Sequence, residues 1–358
     1  MRIKKFFDKL EGLNLTVIGY VFGFLVFLAI LANYWLPSGY ILAGHDSGLA
    51  IDAKNFFTSR LYAWDDHINF GTDNTLNYGS ITIHLIDYIL SVIVDSESAG
   101  NQLAIFFWIS VIFLSAVVFA LSLKEVCGRT FVFIFPIFIV FNFYVFQSMF
   151  MLERAKYGLL ASALIFLSVV FKVLSNKMRI IPAVITTSLM FAIFNGGGLW
   201  GLPLYGGFVV IVIILLFHTI VFGILSKDFR RILKLFIFLI CSMVGYILIN
   251  AYAVLPYLMK FINGGAFSLF DQSVIAPNKA WLDYISQSSS FINVLRLQGI
   301  PDWYDSSFVV NKNHPFADEY TTSIFLVSAS FLFPVFAFLS IPLAKTPRQK
   351  SVISFFSL

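Results

Sequence analysis

Seven stretches of this chain run for fifteen residues or more without a single Asp, Glu, Lys or Arg. They lie between Glu11 and Asp46, Glu97 and Lys124, Arg129 and Glu153, Lys156 and Lys172, Arg179 and Lys227, Lys234 and Lys260, and Glu319 and Lys345. In hydrocarbon every backbone N–H and C=O must be satisfied within the fold, so a spanning segment is a helix or part of a closed barrel. A spanning helix needs about 20 apolar residues, whereas a barrel strand alternates apolar with polar. Unbroken apolar runs predict helices. The stretch 180–226 is too long for one span and is interrupted at Asn195-Gly-Gly-Gly-Leu-Trp-Gly-Leu-Pro203, so it reads as two. The expectation is an all-α polytopic membrane protein of eight spans. Those near 157–171 and 180–194 are short, and their terminal Lys and Arg have to snorkel.

Composition agrees. Of 358 residues, 59% are apolar and 12% charged, and 43 are Phe, against about half and a quarter in a soluble domain. This excludes a water-soluble globule and a disordered chain. Two cysteines exclude a disulfide-stapled secreted domain. Cys127 and Cys241 read as packing residues near the cytoplasmic side. With the basic N-terminus (Arg2, Lys4, Lys5, Lys9) inside and spans alternating, 16 of the 24 Lys and Arg fall on inner segments, while 15 of the 19 carboxylates fall outside. The net charge of +5 is thus a topology signal and implies no nucleic-acid partner. The first apolar run is of span length with no compact cleavage site behind it, so it reads as a retained anchor. The expected location is the plasma membrane, multi-pass, with a cytoplasmic N-terminus. The closing Ser351-Val-Ile-Ser-Phe-Phe-Ser-Leu358 reads as the start of a ninth span in a longer protein, leaving residues 1–358 as an incomplete transmembrane domain.

Two outer segments, 37–100 and 259–318, are long enough to carry function. The first holds eight carboxylates and three of the five histidines. Ala53, Phe56, Phe57, Leu61 and Trp64 recur at helical spacing, as do Ile86, Ile89, Leu90 and Ile93, which predicts two amphipathic helices lying on the outer membrane face. Asp46 follows the first span by about ten residues, near the headgroup boundary. A carboxylate there can take a proton from an attacking hydroxyl; alternatively Asp46 or Asp52 caps the helix that starts near Leu49. Asp65, Asp66 and His67 are candidates to hold a divalent cation (magnesium, calcium or manganese) or an acceptor, or form an exposed acidic turn. Arg154 and Lys156, in a short outer turn, either pair with a lipid phosphate or snorkel at the interface. The spans carry no Asp or Glu; Asn142, Gln147, His218 and Asn250 are their notable polar groups. That argues against an ion-coupled transporter, which places ionisable groups at mid-membrane.

The order of these features resembles the GT-C superfamily of polyprenyl-phosphate-sugar-dependent membrane glycosyltransferases: a basic cytoplasmic start, one span, then an outer loop with an early Asp and two interfacial helices. Several segments are similar to the mycobacterial-type α-(1→3)-arabinofuranosyltransferase family. They are Asp46 with the helix running to Trp64-Asp65, Asn77-Tyr-Gly79, Gly196-Gly-Gly198, Tyr252-Ala-Val-Leu-Pro256, and Asn293-Val-Leu-Arg-Leu-Gln-Gly-Ile-Pro-Asp-Trp303. The resemblance implies transfer of a sugar from a polyprenyl-phosphate donor to a hydroxyl of an envelope glycan on the extracytoplasmic face. It makes Asp46 the general base, with Asp52 beside it, and Arg60, Arg154 and Arg296 holders of the departing phosphate, joined by Lys156. The chain departs from the family in its richness in Lys, Asn, Ile and Phe, so arabinose is not carried over. It also departs in lacking the further spans and outer carbohydrate-binding domains. The competing readings are a flippase of lipid-linked sugars and a non-catalytic envelope assembly protein.

Overall fold

The computed structural model describes residues 15–42, 52–62, 64–65, 72–73, 80–94, 96–142, 145, 154–195, 202–260, 262–263, 290–295 and 322–332, with isolated positions at 279, 283, 286, 335, 338–339, 342, 344 and 349. The chain divides into two compact units, residues 1–212 with 228–255, and residues 213–227 with 256–358. In chain order the first unit contributes α1 (Leu15–Trp35), α2 (Ala53–Ser59), β1 (Trp64–Asp65), β2 (Thr72–Asp73), α3 (Ile81–Val94), α4 (Glu97–Cys127), α5 (Arg129–Phe141), α6 (Arg154–Leu174) and α7 (Ile180–Asn195). Helix α8 (Leu202–Leu225) passes from the first unit into the second, α9 (Phe229–Ile249) belongs to the first, and α10 (Ala251–Lys260) bridges the boundary. The second unit adds α11 (Phe291–Leu295) and α12 (Ile324–Ser330). Apart from the two-residue antiparallel pairing of β1 with β2, these elements are helical.

This is a helical, multi-pass membrane protein. Among the described residues five helices are long and apolar enough to cross a bilayer: α1, α4, α6, Phe208–Leu225 of α8, and α9. The other three expected spans fall on apolar helices that are shorter or described only in part. Helix α5 stops after 13 residues, about 20 Å, because the Asn142 side chain diverts the backbone. Its amide donates to the Ile139 carbonyl at 2.6 Å and its oxygen accepts from the Val145 N–H at 3.0 Å. Helix α7 has 16 residues, about 24 Å. The expected last span is described only in pieces around α12.

Helix α4 is the hub, packing against α1, α3, α5 and α6. Trp108, Ile109, Ile112, Phe113 and Phe119 are buried along it. From α1, Phe24 stacks on Phe113 at 4.3 Å, and the Tyr20 hydroxyl donates to the Phe133 carbonyl of α5 at 2.8 Å. The ends of the spans are pinned in alternation. At one end the Gly39 N–H donates to Ser98 Oγ, the Leu42 N–H to Asn101 Oδ1, and Gln102 Nε2 to the Leu36 carbonyl. At the other, Lys177 pairs with Glu125 at 2.5 Å and Lys234 donates to Asn176 Oδ1 at 2.6 Å. Helix α3 packs on α4, with Ser91 against Gly100 near their link. Of the cysteines, Cys241 points out of the packed interior, contrary to its expected packing role, and Cys127 is half-buried.

Because lipid tails are as apolar as Leu, helices in a membrane associate by close packing and interhelical hydrogen bonds rather than by hydrophobic burial. The α7–α9 contact shows this. Thr187, Ser188, Ser242 and Gly245 meet there, with the Thr187 and Ser242 hydroxyls 3.4 Å apart. A Cβ on Gly245 would sit 2.8 Å from Ser188 Oγ and 2.9 Å from Val184 Cγ1. Gly245→Ala is therefore expected to cost about 1–3 kcal/mol of stability through overpacking. Gly19→Ala, with nothing within 4 Å of the new methyl, is expected to be neutral or to stabilise by about 0.5–1 kcal/mol. Thermal unfolding in detergent distinguishes the two; equal shifts would contradict the close approach.

Candidate functional site

Helix α2 is short and begins at Asp52, whose carboxylate accepts the Asn55 N–H at 2.9 Å. Of the two roles open to Asp52 from sequence, helix capping is the one its geometry displays. One face of α2 lies on α3. Phe57 stacks on Tyr88 at 5.7 Å with the rings 9° from parallel, and the edge of Phe56 meets the His84 ring at 4.7 Å. Arg60 ends the helix with its guanidinium 4.5 Å over the Phe56 ring, a cation–π arrangement that keeps the charge beside apolar surface.

Helix α3 buries Ile83, His84, Asp87 and Leu90 and turns Leu85, Ile89, Val92 and Ile93 outward. The inward face is thus the one that carries the polar groups. Asp87 Oδ2 forms a buried ion pair with Arg154, the first residue of α6; both side chains are less than 8% exposed. His84 Nδ1 lies 3.9 Å from the same carboxylate oxygen. An arginine at a helix N-terminus faces the positive end of the helix dipole, so the Asp87 carboxylate neutralises both the guanidinium and the helix end. The other oxygen of Asp87, Oδ1, accepts no hydrogen bond among the described residues.

His84 adjoins Arg154 through their shared neighbour Asp87 and adjoins Arg60 through the Phe56 ring. Two guanidiniums are thus gathered around one imidazole at the end of the bundle where α1 exits and α4 and α6 begin. Chemically this is a cationic locus, partly shielded from water, suited to an anionic group.

Of the residues singled out from sequence, Arg60 and Arg154 are brought together around His84. Lys156 is half-buried two residues along α6, and Asp52 is an exposed cap. Asp65 is described only through its backbone pairing with Thr72. Asp46, Asp66, His67 and Arg296 lie outside the described residues, as do the Gly196-Gly-Gly198 turn, most of 259–318, and the closing Ser351–Leu358 segment. Among the described residues no group of three His, Cys, Asp or Glu is placed to hold a metal. His84 and Asp87 were missed from sequence. Their signal was present, as a His and an Asp one helical turn apart inside a 14-residue apolar run, a placement polar side chains take when they face one another or a partner.

Removing one member of a buried ion pair strands the other. Asp87→Ala is expected to lose about 3–5 kcal/mol of stability, and Asp87→Leu combined with Arg154→Met to recover most of it; thermal unfolding in detergent measures both. Comparison of the chain with known protein families, with curated proteins and with solved structures finds no match.

Proposed function

We propose that this protein is a membrane glycosyltransferase. It moves a sugar from a polyprenyl-phosphate donor to a hydroxyl of an envelope glycan or glycoconjugate on the extracytoplasmic side of the plasma membrane. The observation that carries the reading is the gathering of Arg60 and Arg154 around His84 at one end of the bundle, through Phe56 and Asp87 respectively. The opposite end holds Lys124, Arg129, Lys177 and Lys234 near the Glu125–Lys177 and Lys234–Asn176 contacts. By the positive-inside rule that basic end is cytoplasmic, so the Arg60–Arg154 locus faces outward, where a lipid-linked donor and a polar acceptor both have access.

The chemistry follows from the charge that develops. As the glycosidic bond to phosphate breaks, negative charge grows on the departing phosphate and positive charge on the sugar ring, an oxocarbenium-like state. Arg60 would meet the phosphate with charge-assisted bonds, together with Arg296 and Lys156. Arg154 would contribute its field while committed to Asp87. Asp46 would take the acceptor proton. Asp65, Asp66 and His67 would bind the acceptor or a divalent cation.

The test is transfer from synthetic polyprenyl-phosphate sugars by purified protein in vesicles. Asp46→Asn is expected to lower the rate about 10²–10⁴-fold. Arg60→Gln is expected to lower it about 10²-fold, with partial activity kept by Arg60→Lys. Asp52→Ala is expected to cost ~1 kcal/mol of stability as a lost cap while leaving transfer largely intact. Activity equal to the parent in both Asp46→Asn and Arg60→Gln would remove the proposal.

A further inference from the structure

Two residues separate α3 from α4, and the helices run back along one another. Near the link the Cα of Ser91 lies 3.5 Å from where a Cβ on Gly100 would stand. At the far end Thr82 Oγ1 donates to the Ala192 carbonyl of α7 at 2.9 Å, while the ring of Phe194, in the same turn of α7, meets Trp108 at 6.4 Å. The first turn of α3 is thus level, to within about one turn, with Trp108, which lies about 17 Å along α4 from Glu97. Helix α4 has 31 residues, about 46 Å, against a hydrocarbon thickness of about 30 Å. Lys124 and the exposed Glu125–Lys177 pair hold its last turn at one water boundary. About 20 residues back from there, near Ala104, lies the other. Trp108, and with it the start of α3, falls inside.

We infer that α3 is a half-inserted helix whose outward file, Leu85, Ile89, Val92 and Ile93, binds the acyl chains of one leaflet. These four are 37, 48, 60 and 65% exposed and share one helical face. Facing water they would form an apolar patch with no cover. Facing lipid they continue the file of Ile181, Ile185, Leu189 and Ile193 on α7, which is 75, 51, 41 and 40% exposed and ends beside the Thr82–Ala192 bond. The inward placement of His84 and Asp87 fits the same arrangement. A carboxylate this close to hydrocarbon is retained when it faces the protein and meets a partner, here Arg154. The inference goes beyond the transferase reading and stands without it.

The test is a depth measurement in phosphatidylcholine vesicles on chains carrying Cys127→Ser and Cys241→Ser. Leu85→Cys, Ile89→Cys and Ile93→Cys are labelled singly with a small fluorophore, and each labelled chain is first matched to its parent by thermal unfolding in detergent. Nitroxide lipids labelled on the headgroup or deep in the acyl chain then report depth. The expected result is a gradient of about 12 Å from position 93, shallow, to position 85, deep, with Leu85→Cys also reacting more slowly than Asn55→Cys toward a membrane-impermeant maleimide. Equal depths at the three positions would mean a helix lying flat on the surface and would overturn the inference. So would the absence of quenching by either lipid, or a Leu85→Cys that reacts as fast as Asn55→Cys.

Discussion

A guanidinium set among apolar helix ends has to be neutralised where it stands, and the arrangement of this end of the bundle depends on that constraint. Arg154 opens α6 in a place where water is scarce and the helix dipole is already positive. Asp87 is the group that answers it, and Asp87 sits on a helix from a distant part of the chain. The pairing therefore does more than cancel a charge. It ties α3 to α6, sets the rotation of α3 so that His84 also faces inward, and thereby presents the surface on which Phe56, Phe57 and Arg60 of α2 rest.

The rest of the first unit is held by contacts that work without a hydrophobic gradient. Small residues let α7 and α9 approach until Gly245 leaves no room for a methyl group. Hydroxyl and amide side chains pin the α1 exit onto the start of α4. Aromatic pairs such as Phe24 with Phe113 fill the remaining space. Outside this packed interior the helices show Ile, Leu, Val and Phe, as lipid requires.

The helical, membrane-spanning character was legible from the charge-free runs, and the two loop helices were legible from apolar spacing, appearing as Ala53–Ser59 and Ile81–Val94. Counting charges alone passes over one kind of signal. Asn142 is uncharged, yet its amide ends α5 by competing for backbone groups, and Asn250 likewise separates α9 from α10. For α3 the spacing of Ile86, Ile89, Leu90 and Ile93 suggested an apolar face turned to a membrane surface. The fold turns Ile89 and Ile93 of that face outward and buries the opposite, His84–Asp87 side, where a partner charge from α6 waits.

The sequence by itself determined that this chain lives in a bilayer as helices, since unbroken apolar length admits no other backbone solution in hydrocarbon. It also determined which end of each span carries the basic residues. Only the tertiary structure decided that Arg60, His84, Asp87 and Arg154 form one cluster. An ion pair between residues 67 positions apart leaves no periodicity in the chain: its reason is the cost of an unpaired charge away from water, and that cost exists only once the helices have met.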